Sequence, residues 1–322
     1  MFPADRMRRR RSGEGIRRML TETRLHPDDL VLPLFFDETI DSVRYTESMP
    51  GVPTHPLSDA EKVAERVSSS GVNAVILFGI PKHKDGIGSG ADSADGVMQT
   101  AVKKIRSSSD LTVIADLCMC EYTDHGHCGI LSGGDVDNDL TILRYGKIAN
   151  SFADAGAHIV APSGMMDGQV SAIREALDDN DRKDILIMAY SAKFCSSFYG
   201  PFRDIAHSAP FAGGRGSYQM NPANGREAIS EIRMDIEEGA DIVMVKPAMP
   251  YLDVIRQARN EFDVPIAAYQ VSGEYAMIKA AAANGWLDER RTAMESLISI
   301  KRAGADVLIS YFAEEIAKEL RK

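Results

Sequence analysis

The chain has 322 residues, 44% hydrophobic and 26% charged, with a formal net charge of −10. That is apolar content for one large α/β barrel or two ordinary domains, and it is too acidic for a body that grips nucleic acid. Four cysteines are too few for a disulfide scaffold and fit a reduced, cytoplasmic compartment, and no apolar run approaches a membrane span, so neither a nucleic acid nor a membrane is an expected partner.

The start, "MFPADRMRRRRSGEG", is basic with no apolar stretch behind it, which argues against a secretory signal. Arg6, Arg8, Arg9, Arg10 and Arg11 read as a solvated tail, as an arm on a neighbouring subunit or, third, as a nucleic-acid tail. Residues 1–25 lie outside the repeat that follows and are set apart as an arm; 26–322 form the folded domain.

"LVLPLFF" (30–36) is the first predicted strand. Ser58 with Glu61 predicts a capping box ahead of the helical "KVAERV". A pattern then begins that recurs four times: "GVNAVILFG" from Gly71, "GAHIVAPSG" from Gly156, "GADIVMVKP" from Gly239 and "GADVLISYF" from Gly304. Each follows a helix-like segment; the glycine ends the helix and the apolar run is a strand buried on both faces. "LTVIADLC" (111–118), "ILIMAYSAK" (185–193) and "VPIAAYQVSG" (264–273) fill the gaps, making eight strands. Asn224 is placed to cap "GREAISEIRMDIEEG". Eight strands alternating with helices predict an α/β (βα)₈ TIM barrel with an N-terminal arm; an open doubly wound sheet is the alternative, because periodicity does not show closure. About thirty residues between Lys193 and Asn224 lack periodicity and read as an active-site lid, with Gly200, Gly213, Gly214 and Gly216 as hinges and Arg203 and Arg215 as cations.

In a barrel the C-terminal ends of the strands carry the site. Those ends are Asp116, Cys118, Ser163, Lys193, Lys246, Ser272 and Tyr311. Two lysines after apolar runs on consecutive strands are costly cations that lower each other's pKa, and a neutral amine forms a Schiff base with a carbonyl. Arg203 and Arg215 suit a carboxylate or phosphate, and Ser272 and Tyr311 could hold a second anion. Cys118, Cys120 and Cys128, spaced C-x-C and C-x₇-C, are compatible with one metal; thiolates favour zinc, and three ligands leave an open position unless His125 or His127 fills it.

"DLCMCEYTDHGHCGIL", "APSGMMDGQV", "YSAKFCSSFYGPFRD", "GSYQMNPAN", "MVKPAMPYLD", "YQVSGEYAMI" and "KRAGAD" together resemble the porphobilinogen synthase (δ-aminolevulinic acid dehydratase) family, in order and over nearly the whole chain. The resemblance implies a homo-octamer built through the arm, and condensation of two 5-aminolevulinate molecules to porphobilinogen with loss of two waters in tetrapyrrole biosynthesis. It assigns Schiff bases to Lys246 on the propionate side and Lys193 on the acetate side. Arg203, Arg215 and Gln219 would hold the acetate-side carboxylate, and Ser272 and Tyr311 the propionate-side one; Ser163 is counted with these binding residues. Cys118, Cys120 and Cys128 match the catalytic zinc ligands of the zinc-dependent branch, Asp116 an acid–base or orienting group, and Glu231 a magnesium ligand outside the active site. Gly164 departs from the Asp of several relatives, and Ser217 from a further cysteine in some. A class I aldolase on the same barrel is the rival enzyme reading and leaves the cysteines unexplained; a thiolate metal store or redox sensor is the non-enzyme reading.

Overall fold

The chain is described by a computed structural model over residues 4–210 and 214–321. The expected hinge Gly213 lies outside these residues, as do 1–3 of the arm and Lys322.

Eight parallel strands form the inner wall: β1 (Leu30–Asp37), β2 (Ala74–Ile80), β3 (Thr112–Leu117), β4 (Ile159–Pro162), β5 (Leu186–Lys193), β6 (Ile242–Lys246), β7 (Ile266–Gln270) and β8 (Val307–Ser310). They pair in sequence order, and β8 returns to β1 with Leu30 opposite Leu308 and Val31 opposite Ile309. The sheet is therefore closed, which decides for the barrel over the open sheet. Outside it stand α1 (Ala60–Ser70), α2 (Val97–Ser108), α3 (Asn138–Ala155), α4 (Gln169–Asp179), α5 (Gly225–Glu237), α6 (Leu252–Glu261), α7 (Glu289–Ala303) and α8 (Ala313–Leu320).

The reasons are local. α1 buries Ala60, Val63, Ala64 and Val67, a spacing that puts one apolar stripe against the wall. All of β1 is buried, as expected of a parallel strand covered on both faces. The four repeat glycines take φ between 94° and 131°, the left-handed turn that ends each helix before its strand.

Three expectations change. No capping box forms at Ser58: Leu57–Asp59 makes a 3₁₀ turn that runs into α1, so the Ala60 N–H is already satisfied by the Leu57 carbonyl. Asn224 does occupy the cap position of α5, but its amide donates to Glu227 Oε2 (2.8 Å) instead of capping the backbone. The seventh strand stops at Gln270, and Ser272 opens a helix, Ser272–Ala283, because the Glu274 carboxylate accepts the Val271 N–H (2.6 Å) and turns the chain.

The predicted lid is partly ordered by a 3₁₀ turn, Ser197–Tyr199, and a short helix, Gly200–Ala206; seven residues are too few to show a period. A bridge between Phe194 and Met220 brings its two ends together. Pro53–Pro56 adds a strand beside the upper half of β1. In the arm, Met7–Arg11 and Glu14–Met19 form short helical turns with no buried residue. Among the described residues no helix is long and apolar enough to cross a membrane.

Candidate active site

A cavity opens at the C-terminal mouth of the barrel. Its lining includes Asp116, Cys120, Ser163, Lys193, Arg203, Arg215, Lys246, Ser272 and Tyr311, so nine of the residues expected from sequence converge on one space. Strand ends bring in the amines and carboxylate, the loop after β3 brings the thiols, and the lid brings the guanidinium groups.

Lys193 and Lys246 are the last residues of β5 and β6 and stand opposite each other in register. Both are buried. The Lys246 amine lies over the rings of Tyr269 (4.2 Å), Tyr190 (4.9 Å), Tyr199 (5.4 Å) and Phe202 (5.5 Å). Burial, and then the Lys193 charge, lower its pKa to about 7, against the pull of Asp116. That fall corresponds to roughly 5 kcal/mol in favour of the neutral amine. The Lys193 amine instead donates to the Ser163 carbonyl.

Asp116 completes this group. Ser163 Oγ donates to Asp116 Oδ2 (3.1 Å), while Oδ1 is buried with no hydrogen-bond partner. Burial, and next the Glu121 charge, raise its pKa to about 7, with Lys246 and Lys193 opposing.

Cys118, Cys120 and Cys128 are buried, and their sulfurs all lie within 4.8 Å of one another. This is the only group of three or more potential metal-ligating side chains found among the described residues. Hydrogen bonds from Cys118 and Cys120, and then the Arg215 and Lys193 charges, hold the Cys128 thiol well below its usual range, whereas burial pushes Cys118 up. Three clustered soft donors, one of them held toward its thiolate form, fit a thiophilic dication such as zinc. The two histidines hold the loop: His125 Nδ1 accepts the His127 N–H (3.1 Å), and His127 Nδ1 meets the Tyr218 hydroxyl (3.2 Å).

Arg215 is buried, donating to the carbonyls of Gly126 (2.9 Å) and Ser208 (2.8 Å) and so joining the cysteine loop to the lid. Its Nε and that of Arg203 have no partner, and unsatisfied buried donors facing a cavity are what a bound anion would complete. Gln219 is also buried with both amide atoms unpartnered, but it lines a neighbouring cleft with Asp167, Glu227 and Glu231 rather than the main cavity. Glu231, half-buried there, lies outside the main cavity. Tyr311 OH pairs with Tyr269 OH (3.1 Å). The Ser272 hydroxyl is already engaged, accepting from Phe202 N (3.0 Å) and donating to Phe198 O (3.2 Å).

Sequence reasoning missed Glu121, which accepts from Cys120 Sγ (3.2 Å) and lines the cavity, and the aromatic cage of Tyr190, Tyr199, Phe202 and Tyr269. Alternation along β7 would have turned Tyr269 inward, but strict alternation from Lys193 would have turned Tyr190 outward; the register shift in β5 opposite Val243–Val245 brings both Tyr190 and Lys193 to the inner face. Gly164 is also explained: a Cβ there would collide with the Tyr145 hydroxyl, which donates to the Cys128 carbonyl (2.6 Å), so this chain has traded a side chain at 164 for a support under the thiols.

Buried amines, a buried carboxylate, a thiol cluster and guanidinium groups at the mouth of a (βα)₈ barrel define a barrel enzyme, a lyase by its relatives' chemistry. The chain matches the family description "Delta-aminolevulinic acid dehydratase" over residues 4–319. It belongs to the delta-aminolevulinic acid dehydratase family. It is 52% identical over 321 residues to the Archaeoglobus fulgidus enzyme of that name, covering 99% of each chain. It is 50% identical over 321 residues to that of Mycobacterium tuberculosis strain H37Rv, covering 98% of this chain and 97% of the other. A crystal structure of delta-aminolevulinic acid dehydratase (porphobilinogen synthase) from Toxoplasma gondii ME49, in complex with the reaction product porphobilinogen, is 40% identical and superposes with a TM-score of 0.96 over 99% of this chain and 92% of that one.

Proposed function

We propose that this chain condenses two molecules of 5-aminolevulinate to porphobilinogen, with loss of two waters, through Schiff bases on Lys246 and Lys193. The register-paired, buried lysines carry the reading. A neutral Lys246 amine attacks the keto carbon of one substrate, and loss of water leaves the imine. Burial and the Lys193 charge favour that neutral state, against the cation–π attraction of the surrounding rings. Asp116, reached by Ser163 and electrostatically coupled to both amines, is placed to shuttle protons between them. The free Nε groups of Arg203 and Arg215 would take the carboxylate on the Lys193 side, with Gln219 approaching from the adjoining cleft. Tyr311 and Ser272 would take the other carboxylate, Ser272 by exchanging its bond to the Phe198 carbonyl.

Cys118, Cys120 and Cys128 would hold zinc, which supplies Lewis-acid polarisation when bound. Glu231 is proposed as a magnesium ligand at a stimulatory site; a single carboxylate with waters is within what magnesium accepts. The arm (1–25) is proposed to grip a neighbouring barrel in a homo-octamer. Its exposed Met7, Met19 and Leu20 support this. Three free thiols side by side suit the cytoplasm.

The test is pyrrole formation from 5-aminolevulinate as sole substrate, with and without a zinc chelator. Product that forms with zinc and stops on chelation is the expected result. A zinc-loaded enzyme that makes no pyrrole contradicts the reading.

A further inference from the structure

Glu274 has no place in the chemistry above, yet it is one of the most buried carboxyl groups in the chain, 2% exposed. It is the third residue of the helix Ser272–Ala283. One oxygen, Oε1, accepts the Met249 N–H (2.6 Å). The other, Oε2, accepts the Val271 N–H (2.6 Å) and, longer, the Ala248 N–H (3.4 Å). Three backbone donors from two separate segments thus meet on one carboxylate.

Those segments matter. Ala248 follows Lys246 by two residues, across Pro247, so the contact fixes the chain just beyond the end of β6. Val271 follows the end of β7 and precedes Ser272, whose hydroxyl spans two lid residues, Phe198 and Phe202. The lid in turn sends the Tyr199 hydroxyl back to the Lys246 carbonyl (3.1 Å). A closed circuit results: Lys246 strand end, Glu274, Ser272, lid, Lys246. Lys193 has further anchors outside this circuit, its amine on the Ser163 carbonyl and its own carbonyl on the Met220 N–H (3.1 Å), while the Phe194 N–H beside it donates to the Lys246 carbonyl (3.0 Å).

We propose that Glu274 is a positioning residue that sets the Lys246 strand end against the lid, so that its loss impairs chemistry at Lys246 more than at Lys193. When ionised, a carboxylate is an acceptor-only group whose two oxygens serve three N–H donors at once. Burial raises the Glu274 pKa to about 7 while the Val271, Met249 and Ala248 N–H groups hold it down, so the full set of contacts belongs to pH above about 7. A glutamine of the same size presents an NH₂ to donors on one side and leaves buried N–H groups unmatched. This inference rests on the Schiff-base reading above.

The experiment compares E274Q with the wild-type enzyme by borohydride trapping of 5-aminolevulinate, mapping adducts to each lysine, together with kcat and KM. E274Q is expected to lower the trapping rate at Lys246 about tenfold and kcat with it, the size of an orphaned buried donor, while trapping at Lys193 changes less than about threefold. Equal loss at both lysines, or no loss, overturns the proposal. If E274Q does not fold, amide hydrogen exchange on the wild type decides: Ala248, Met249 and Val271 must be protected without substrate, and exchange at the rate of exposed loop amides overturns it. Absence of any wild-type adduct would instead sink the Schiff-base reading, and the exchange result would still judge whether Glu274 holds this segment.

Discussion

Lys193 and Lys246 face each other in register on adjacent strands and share the Tyr190 ring, yet their amines meet different surroundings: otherwise a carbonyl for Lys193, and three further aromatic rings for Lys246. Burial, and then the Lys193 charge, keep Lys246 near a pKa of about 7. Adduct formation at Lys246 should therefore rise as pH increases through about 7 and level off above it. Lys193→Met removes the like charge, so the midpoint should move to higher pH. Trapping rates against pH for both proteins check this; an unchanged midpoint contradicts the coupling.

The same burial makes Lys246 a stability cost. Its folded-state pKa lies below the unfolded value of 10.5, so the unfolded chain binds more protons between about 7 and 10.5 and stability rises with pH across that window. Lys246→Met should abolish turnover yet raise the urea midpoint, with unfolding free energy higher by up to about a few kcal/mol at pH 7 and by little near pH 10. Unfolding curves at the two pH values measure it.

Metal removal should silence the enzyme without unfolding the barrel, because the three thiols sit on one loop above a wall held by its own core. Zinc should restore activity to the chelated protein and magnesium alone should not, since thiolates are poor ligands for hard cations. Activity and circular dichroism on the same samples separate loss of metal from loss of fold.

The two lid arginines should differ. Arg203 is half-buried with a free Nε, so Arg203→Ala should raise KM about tenfold with little change in unfolding. Arg215 also ties Gly126 to Ser208, so Arg215→Ala should in addition loosen zinc and the lid. Steady-state kinetics and a zinc release assay resolve the pair.

Much of this was legible in the sequence because it is periodic or sits at strand ends. The repeat glycines and apolar runs mark all eight strands, and Lys193, Lys246 and Asp116 fall where a barrel presents its chemistry. What was not legible depends on contacts between distant segments. Ser272 looks like a free donor at a strand end, but Glu274 bends the chain into a helix and the lid takes the hydroxyl. Gln219 lies near Arg215 in sequence, yet a turn carries it into the next cleft. Glu121 was hidden beside the cysteines, and the role of Gly164 needs Tyr145, nineteen residues earlier.

The proposed chemistry requires two lysines, not one, to bind substrate covalently. Borohydride reduction of the zinc-loaded enzyme with 5-aminolevulinate, followed by peptide mass mapping, tests it most directly. Reduced adducts on both Lys246 and Lys193 are expected. Adduct on neither lysine, or turnover that persists when Lys193 is replaced by Met, would contradict it.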